Sequence, residues 1–499
     1  MTAGPYLRFA AKVDFCSNFT TLQAIEAEKL EMPKSNESQF FHDAVSRVPK
    51  TILVICPTMW DEAELPAIAK IGAFRPVPFG TDVSEHPESF DALTFIEQAV
   101  AEQQGQLIDG VMASDDYPGS ILAAVIAQRL GLPGPDPQSV LLCHHKYYSR
   151  IAQSRVASES VPFFKLVDPE NIWLDAAHLP YPVFVKPVKS FFSLLAERID
   201  DEAELVELAI RAGPHLREFV KPFNQLLRHY SDLTRDGGYL LAEQVLCGRQ
   251  VTVEGCVYRG EGSIIGIIDS IMYPGTNSFQ RFEYPSNLPS GVQQRMSELA
   301  LRFIASIGFD NSLFNIEMFY NSENDAIHII EVNPRMCPQF ADLMEKVNGV
   351  NSFEIALSIA AGLRPTIHRP IPQYRVAASF VLRLFTDMSV ARVPSPLELA
   401  AFQGRFPGAR LKVLCREGQR LSDELQDGNS FRYAVLNLGD DSARHLGERF
   451  AEAIDCLRFD FAPVKTTLAN VSEKASASRA SGPAQPEMTH VDTEPSTLF

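Results

Sequence analysis

The sequence predicts a protein of mixed class, an α/β domain followed by an α+β body, on three observations. Short apolar, β-branched runs alternate with helical stretches over residues 50–140, the pattern of a parallel sheet covered on both faces. Over residues 141–365 strands gather in pairs, two of them joined by the polar turn Asn321-Ser-Glu-Asn-Asp325. A chain of 499 residues is too long for one ordinary core, so each region has length enough for its own.

Residues 1–49 show weak periodicity and read as an extension. The first strand, Thr51-Ile-Leu-Val-Ile-Cys56, is followed by a polar turn and a helix over 61–72. Strands over 75–79 and 107–113 then alternate with helices over 88–104 and 118–130, the last stopped by Gly131 as a C′ glycine. One helix is predicted over 139–158. Strands follow over 163–167, 183–186, 239–245, 250–258 and 263–270, with helices over 201–211 and 214–228. Gly248 reads as the turn of a hairpin joining 239–245 to 250–258. A long helix over 292–307 precedes the strands 312–320 and 326–332. A mixed accessory lobe runs over 366–464, and the tail 465–499, rich in Ser, Ala, Pro, Thr and Glu, reads as disordered.

The net charge of −17 argues against nonspecific nucleic-acid binding, which demands a surplus of Lys and Arg. No apolar run reaches the length of a membrane span, so no membrane partner is expected. Arg8, Lys12 and Asp14 interrupt the place where a signal peptide needs an apolar stretch, giving a cytoplasmic expectation. The eight cysteines include no CxxC pair, as suits reduced thiols rather than a zinc site.

The chemistry gathers on the last two paired strands. Glu331 and Asn333 lie two residues apart on one strand and therefore share a face, while Glu317 interrupts an otherwise apolar strand. Two carboxylates and an amide oxygen are the hard donors that Mg²⁺ prefers. By alternation alone the same acids would equally suit a solvated sheet face. Arg335, directly after Pro334, tips the balance, because it puts a cation where transferred phosphate charge would need one. Lys186 ends an apolar strand and is locked by Pro187, as a lysine fixed on a phosphate would be, although a strand-end lysine more often simply reaches water. Glu243, before the Gly248 turn, and the backbone near Val245 offer the acceptor and donor that an adenine edge needs.

In order and texture, Val183-Phe-Val-Lys-Pro187, Ala242-Glu-Gln-Val-Leu-Cys-Gly248, Phe314-Asn-Ile-Glu317 and Ile329-Ile-Glu-Val-Asn-Pro-Arg335 resemble the ATP-grasp superfamily. The likeness is to its branch of carboxylate–amine ligases, biotin carboxylase and carbamoyl-phosphate synthetase, and covers roughly residues 50–365. It implies an ATP-grasp fold over 141–365, a Rossmann-like pre-ATP-grasp domain over 50–140, and a C-terminal accessory lobe. It also implies ATP and Mg²⁺, or Mn²⁺ in its place, as cofactors, and small-molecule carboxylate and amine substrates as partners. Homodimers are common in that family. By the same resemblance Lys146 and Lys186 would contact nucleotide phosphates, and Glu243 and Val245 would hold adenine, with Glu254 near the ribose. Glu317, Glu331 and Asn333 would hold the metal, Arg335 would steady an acyl-phosphate, and Arg281 would join the acceptor or carboxylate pocket.

One departure concerns the phosphate loop, glycine-rich in many relatives. Here it reads Lys186-Pro-Val-Lys-Ser-Phe-Phe-Ser193, without glycine, so Ser190, Ser193 and Lys189 would have to substitute through hydroxyls and charge. The expected reaction is carboxylate activation as an acyl-phosphate, then displacement of phosphate by an amine. A biotin-carboxylase-like enzyme acting on bicarbonate and a nucleotide-binding module without catalysis are the alternatives.

Overall fold

The computed structural model describes residues 48–464 except 84–88, 191–194, 370–371, 424–425 and 427–429, with the backbone alone at 214 and 215. The extension up to residue 47 and the tail from 465, including its expected disorder, lie outside the described residues. The first domain is a three-stranded parallel sheet, β1 (Lys50–Ile55), β2 (Phe74–Phe79) and β3 (Gly110–Met112), in the order β2-β1-β3. Ile52 to Ile55 are wholly buried because β1 is central and covered on both faces. Its helices are α1 (Met59–Ala69), α2 (Ala92–Gln103) and α3 (Gly119–Leu130). Thr58 and Asp61 form a capping box at the start of α1, and Gly131, at φ 67°, closes α3 in the left-handed conformation.

The helix expected over 139–158 is two helices, α4 (Pro137–His144) and α5 (Lys146–Val156). His145 is extended (φ −89°, ψ 92°), and its ring nitrogen Nε2 meets the Arg235 and Asp236 carbonyls at 3.1 and 3.0 Å. The Lys146 amide donates to the Val188 carbonyl at 3.0 Å, outside the helix. This break makes Lys146 the first residue of α5 and ties it to the chain that follows Lys186.

A small antiparallel sheet comes next. It holds β4 (Phe164–Val167), β5 (Val183–Pro187), β6 (Glu197–Ile199) and β7 (Leu240–Gln244), in the order β4-β7-β5-β6. A short α6 (Ile172–Ala176) precedes β5, and α7 (Glu202–Phe219) and α8 (Lys221–Tyr230) follow β6. Gly213-Pro214, read as a break between helices, lies inside α7. Burial of Leu205, Leu208, Ala209, Ala212 and Leu216 along one helical face carries α7 through it.

The largest sheet has eight antiparallel strands. Those before the accessory region are β8 (Arg249–Tyr258), β9 (Glu261–Met272), β10 (Phe279–Tyr284), β11 (Ser312–Asn321) and β12 (Ala326–Asn333). The helix α9 (Ser290–Ser306) backs β8 and β9, while α10 (Ala341–Asn348) and α11 (Ser352–Ala360) follow β12. The accessory segment then contributes β13 (Val376–Leu384), β14 (Met388–Arg392), α12 (Pro396–Arg405), β15 (Arg410–Val413), β16 (Phe431–Asp440), α13 (Ala443–Cys456) and β17 (Asp460–Pro463). The sheet order is β12-β11-β8-β9-β10-β13-β16-β15, with β14 and β17 paired apart. The segment after 365 therefore extends the same sheet through the β10–β13 pair instead of standing as a separate layer. Among the described residues no helix is long and apolar enough to cross a membrane.

The hairpin expected over 239–258 does not form: β7 belongs to the small sheet and β8 to the large one. Gly248 is the crossing point between them. At φ 132°, with a Cβ there only 2.3 Å from the Tyr320 carbonyl oxygen, the position admits glycine alone. Gly248→Ala is expected to cost roughly 1–3 kcal/mol in a denaturant titration, the strain of a forbidden backbone region plus displacement of β11.

Candidate active site

The β11–β12 register sets Glu317 directly opposite Glu331 and Asn315 opposite Asn333. The β8 register adds Thr252 opposite Glu317 and Glu254 opposite Asn315, so these side chains share one face of the large sheet. A relay fixes Asn333. Its Nδ2 donates to Asn315 Oδ1 at 3.2 Å, and Asn315 Nδ2 donates to Glu254 Oε2 at 2.8 Å. Glu254 Oε1 accepts from the Cys337 amide at 2.9 Å. Glu254 is wholly buried, with both oxygens occupied, so its side chain braces the strand end rather than facing a ribose. Burial pushes its carboxyl up to about 7, against the two hydrogen bonds.

Glu317 accepts from Gln250 Nε2 at 3.0 Å. Its burial, and then the Glu331 carboxylate opposite, push it up to about 7. Hard oxygen donors at Glu317, Glu331 and Asn333 suit a Mg²⁺ ion, which keeps several water or phosphate ligands of its own. Among the described residues no group of three or more His, Cys, Asp or Glu side chains is placed to hold a metal ion.

Cations surround this face. Lys146 Nζ reaches Glu331 Oε1 at 2.7 Å. Lys186 Nζ pairs with Glu243 Oε2 at 2.7 Å and approaches the Ile330 carbonyl at 3.4 Å. Arg150, wholly buried one turn beyond Lys146, meets Glu243 Oε1 through Nε at 2.5 Å and the Ile330 carbonyl through Nη2 at 3.0 Å. Burial pushes Glu243 up, but Arg150 and Lys186 outweigh it and hold the carboxyl down at about 2. The Glu243 side chain is thus committed to an ion triad that joins α5, the small sheet and β12. The Glu243 side chain is therefore not free to meet an adenine edge, and Val245 lies in the connection between the two sheets.

Arg335 Nε lies 3.2 Å from Asp116 Oδ1, and its Nη1 donates to the Met336 carbonyl at 3.2 Å. Asp116 follows β3 in the first domain, so that domain reaches the site. The structure thus brings Lys146, Lys186, Glu243, Glu317, Glu331, Asn333 and Arg335 around one face. Arg281 is not among them. Gln250, Ser270 and Phe282 are register partners in turn across β8, β9 and β10, which puts Phe282 on the Glu317 face and Arg281 on the reverse. There Arg281 pairs with Glu283 at 3.1 Å. Ser190 is half-buried in the loop after β5, and Ser193 lies outside the described residues. Lys189 turns away from that loop's mouth, wholly buried against Asp116. Sequence reasoning missed Arg150, Asn315 and Asp116. The first two stood at same-face spacings, Lys146 to Arg150 on a helix and Asn315 to Glu317 on a strand.

Residues 179–344 match the model of the ATP-grasp domain. The matched segment, which takes in β5 to β12, defines the class: the chain carries an ATP-grasp domain. Among the proteins it is similar to are the following three. It is 26% identical over 236 residues to the carbamoyl phosphate synthase large chain of Kineococcus radiotolerans, covering 46% of this chain and 20% of that one. It is 27% identical over 274 residues to carnosine synthase 1 of Gallus gallus, covering 52% and 28%. The match thus spans less than a third of either relative. The crystal structure of the L-amino acid ligase from Bacillus licheniformis shares the fold with a TM-score of 0.65 at 17% identity, covering 83% of this chain and all of that one.

Two outcomes test this geometry. Glu243→Ala leaves Arg150 and Lys186 buried without their shared counter-charge and is expected to cost roughly 3–5 kcal/mol by denaturant unfolding. Glu254 titrates at about 7 in the folded state against 4.5 for a free glutamate, so the folded state binds its proton more tightly. Its contribution to stability therefore declines as pH rises through that window, and Glu254→Gln should flatten that part of a melting-temperature profile against pH.

Proposed function

We propose that this protein activates a small carboxylate with ATP and joins it to an amine, releasing ADP and phosphate. The observation that carries the reading is the face shared by Glu317, Glu331 and Asn333, flanked by Lys146 and Lys186 and followed two residues on by Arg335. The names of two likenesses, an L-amino acid ligase and a carnosine synthase, suit the same chemistry.

Lys146 and Lys186 neutralise the nucleotide phosphates, which requires Lys146 to give up Glu331 and Lys186 to loosen its hold on Glu243. Glu317, Glu331 and Asn333 would hold Mg²⁺, with Mn²⁺ able to stand in its place, and the ion would supply charge neutralisation for the transferred phosphoryl group. A carboxylate oxygen of the substrate attacks the γ-phosphorus, the bond to the ADP oxygen breaks, and an acyl-phosphate forms. Arg335 donates to its anionic oxygens. The amine then attacks the acyl carbon, phosphate departs with the bonding pair, and the amine loses a proton. Positioning and charge stabilisation supply the acceleration, and no side chain of this set becomes a covalent nucleophile.

Phosphate release measured across amino acids and small carboxylic acids, with hydroxylamine as trap, tests the reading. A carboxylate-dependent hydroxamate is expected, and Glu331→Ala should lower its rate about a hundredfold or more. Full turnover by Glu331→Ala with the same substrates would refute the assignment. Bicarbonate-dependent ATP hydrolysis stimulated by free biotin would instead favour a carboxylating enzyme.

A further inference from the structure

We propose that Asp116 is a positioning residue for phosphoryl transfer: one carboxylate of the first domain holds Arg335 and Lys189 together and sets which guanidinium donor Arg335 presents to the anion. This rests on the ATP-dependent reading above and assigns a role to a domain that supplies none of the nucleotide or metal side chains named there.

The geometry is a shared carboxylate. Asp116 Oδ1 faces Arg335 Nε at 3.2 Å, Oδ2 faces Lys189 Nζ at 3.2 Å, and His144 Nδ1 lies 3.8 Å from Oδ2. Lys189 is 1% exposed, and its ammonium is spent within the protein. It donates to Asp116 and to His144 Nδ1 at 3.0 Å and lies 4.7 Å from the Tyr117 ring centroid. A His144 ring that accepts at Nδ1 carries its proton at Nε2 and donates to Ser120 Oγ at 2.8 Å; Ser120 in turn donates to the Asp116 carbonyl at 2.6 Å. Lys189 thus commits two of its three N–H donors to Asp116 and His144, with its ammonium over the Tyr117 ring.

Arg335 differs. Its guanidinium lies against Asp116 as an ion pair, Nε 3.2 Å from Oδ1 without hydrogen-bond geometry, while Nη1 donates to the Met336 carbonyl, and in a planar guanidinium this leaves Nη2 as the donor for an anion. Nη2 makes no hydrogen bond among the described residues. Removing the Asp116 charge frees Nε to turn and leaves two cations, Lys189 and Arg335, side by side. Burial alone would raise the Asp116 carboxyl, yet Lys189 and Arg335 hold it well below the usual carboxylate range. Lys189 lies three residues beyond Lys186, so the same carboxylate also anchors the start of the glycine-free loop.

The test uses the full chain with MgADP, alone and with orthovanadate as the mimic of a phosphoryl group in flight, read by calorimetry and thermal melts. Asp116→Asn is expected to bind MgADP within about twofold of the unaltered protein and to bind orthovanadate about tenfold or more weakly in the MgADP complex, the loss of one oriented charge-assisted contact. Asp116→Glu should recover part of that loss. Three results would overturn the proposal: Asp116→Asn binding orthovanadate as the unaltered protein does, Asp116→Asn losing MgADP and orthovanadate in parallel as a loosened fold would, and the unaltered protein with MgADP taking up no orthovanadate. No carboxylate enters the measurement, so a failure to find a carboxylate substrate counts against the proposed reaction and leaves this outcome to be read alone.

Discussion

Two carboxylates facing each other across β11 and β12 are the constraint from which the rest of the site follows. The pairing of Glu317 with Glu331 is a matter of register, and in a sheet a slip of one residue would send one of them to the opposite face. Like charges at that distance repel, and burial deepens the cost, as the raised Glu317 carboxyl records. The arrangement persists because three cations arrive from two other elements. Lys146 comes from the first turn of α5, Arg150 from its second, and Lys186 from the end of β5.

Each of those cations already has an acid, and this gives the site its character. Lys146 and a divalent metal would draw on the same Glu331 carboxylate, so occupancy by one weakens the hold of the other, a reciprocal coupling. Lys186 is in a similar position with Glu243, but there the balance differs. Were Lys186 to turn to a phosphate, as proposed, Arg150 would still pair with Glu243, so Glu243 would not be left as a buried unpaired charge. A triad with one movable member lets a lysine change partners without exposing the fold to the penalty of a broken buried pair.

Much of this was legible in the sequence, and the illegible part has physical causes. Strands with a period of two and a polar connection gave β11 and β12, and with them Glu317, Glu331 and Asn333 on one face. The order of short motifs gave the fold. Two errors share an origin in long-range hydrogen bonds. Nothing local marks His145 as a helix break, because its ring is held by carbonyls 90 residues away. A glycine between two strands looks like a hairpin turn whether the strands share a sheet or not, and only the close approach of Tyr320 shows that Gly248 crosses between sheets. Arg281 failed for a different reason: alternation says which residues share a face within a strand, but which face that is depends on three inter-strand registers. Asp116 carried no signal beyond its place after a parallel strand, where ligands of open α/β sheets tend to bind.

The chain is strongly acidic overall, yet it reads as a binder of polyanionic ATP. The conflict is resolved locally, because ion pairs that neutralise each other at rest become a cationic surface once the acids are given something else to hold. On the proposed reading, a metal taken up by Glu317 and Glu331 would offset their negative charge and free Lys146 from Glu331. Arg335, whose counter-charge Asp116 belongs to another domain and is not part of the proposed metal face, would keep its partner. The site would then contain cations of two kinds: lysines that change partners as ligands bind, and an arginine held still. A flexible, singly charged ammonium suits the first task and a planar guanidinium the second, which is a physical reason for the chain to place lysine at 146 and 186 and arginine at 335.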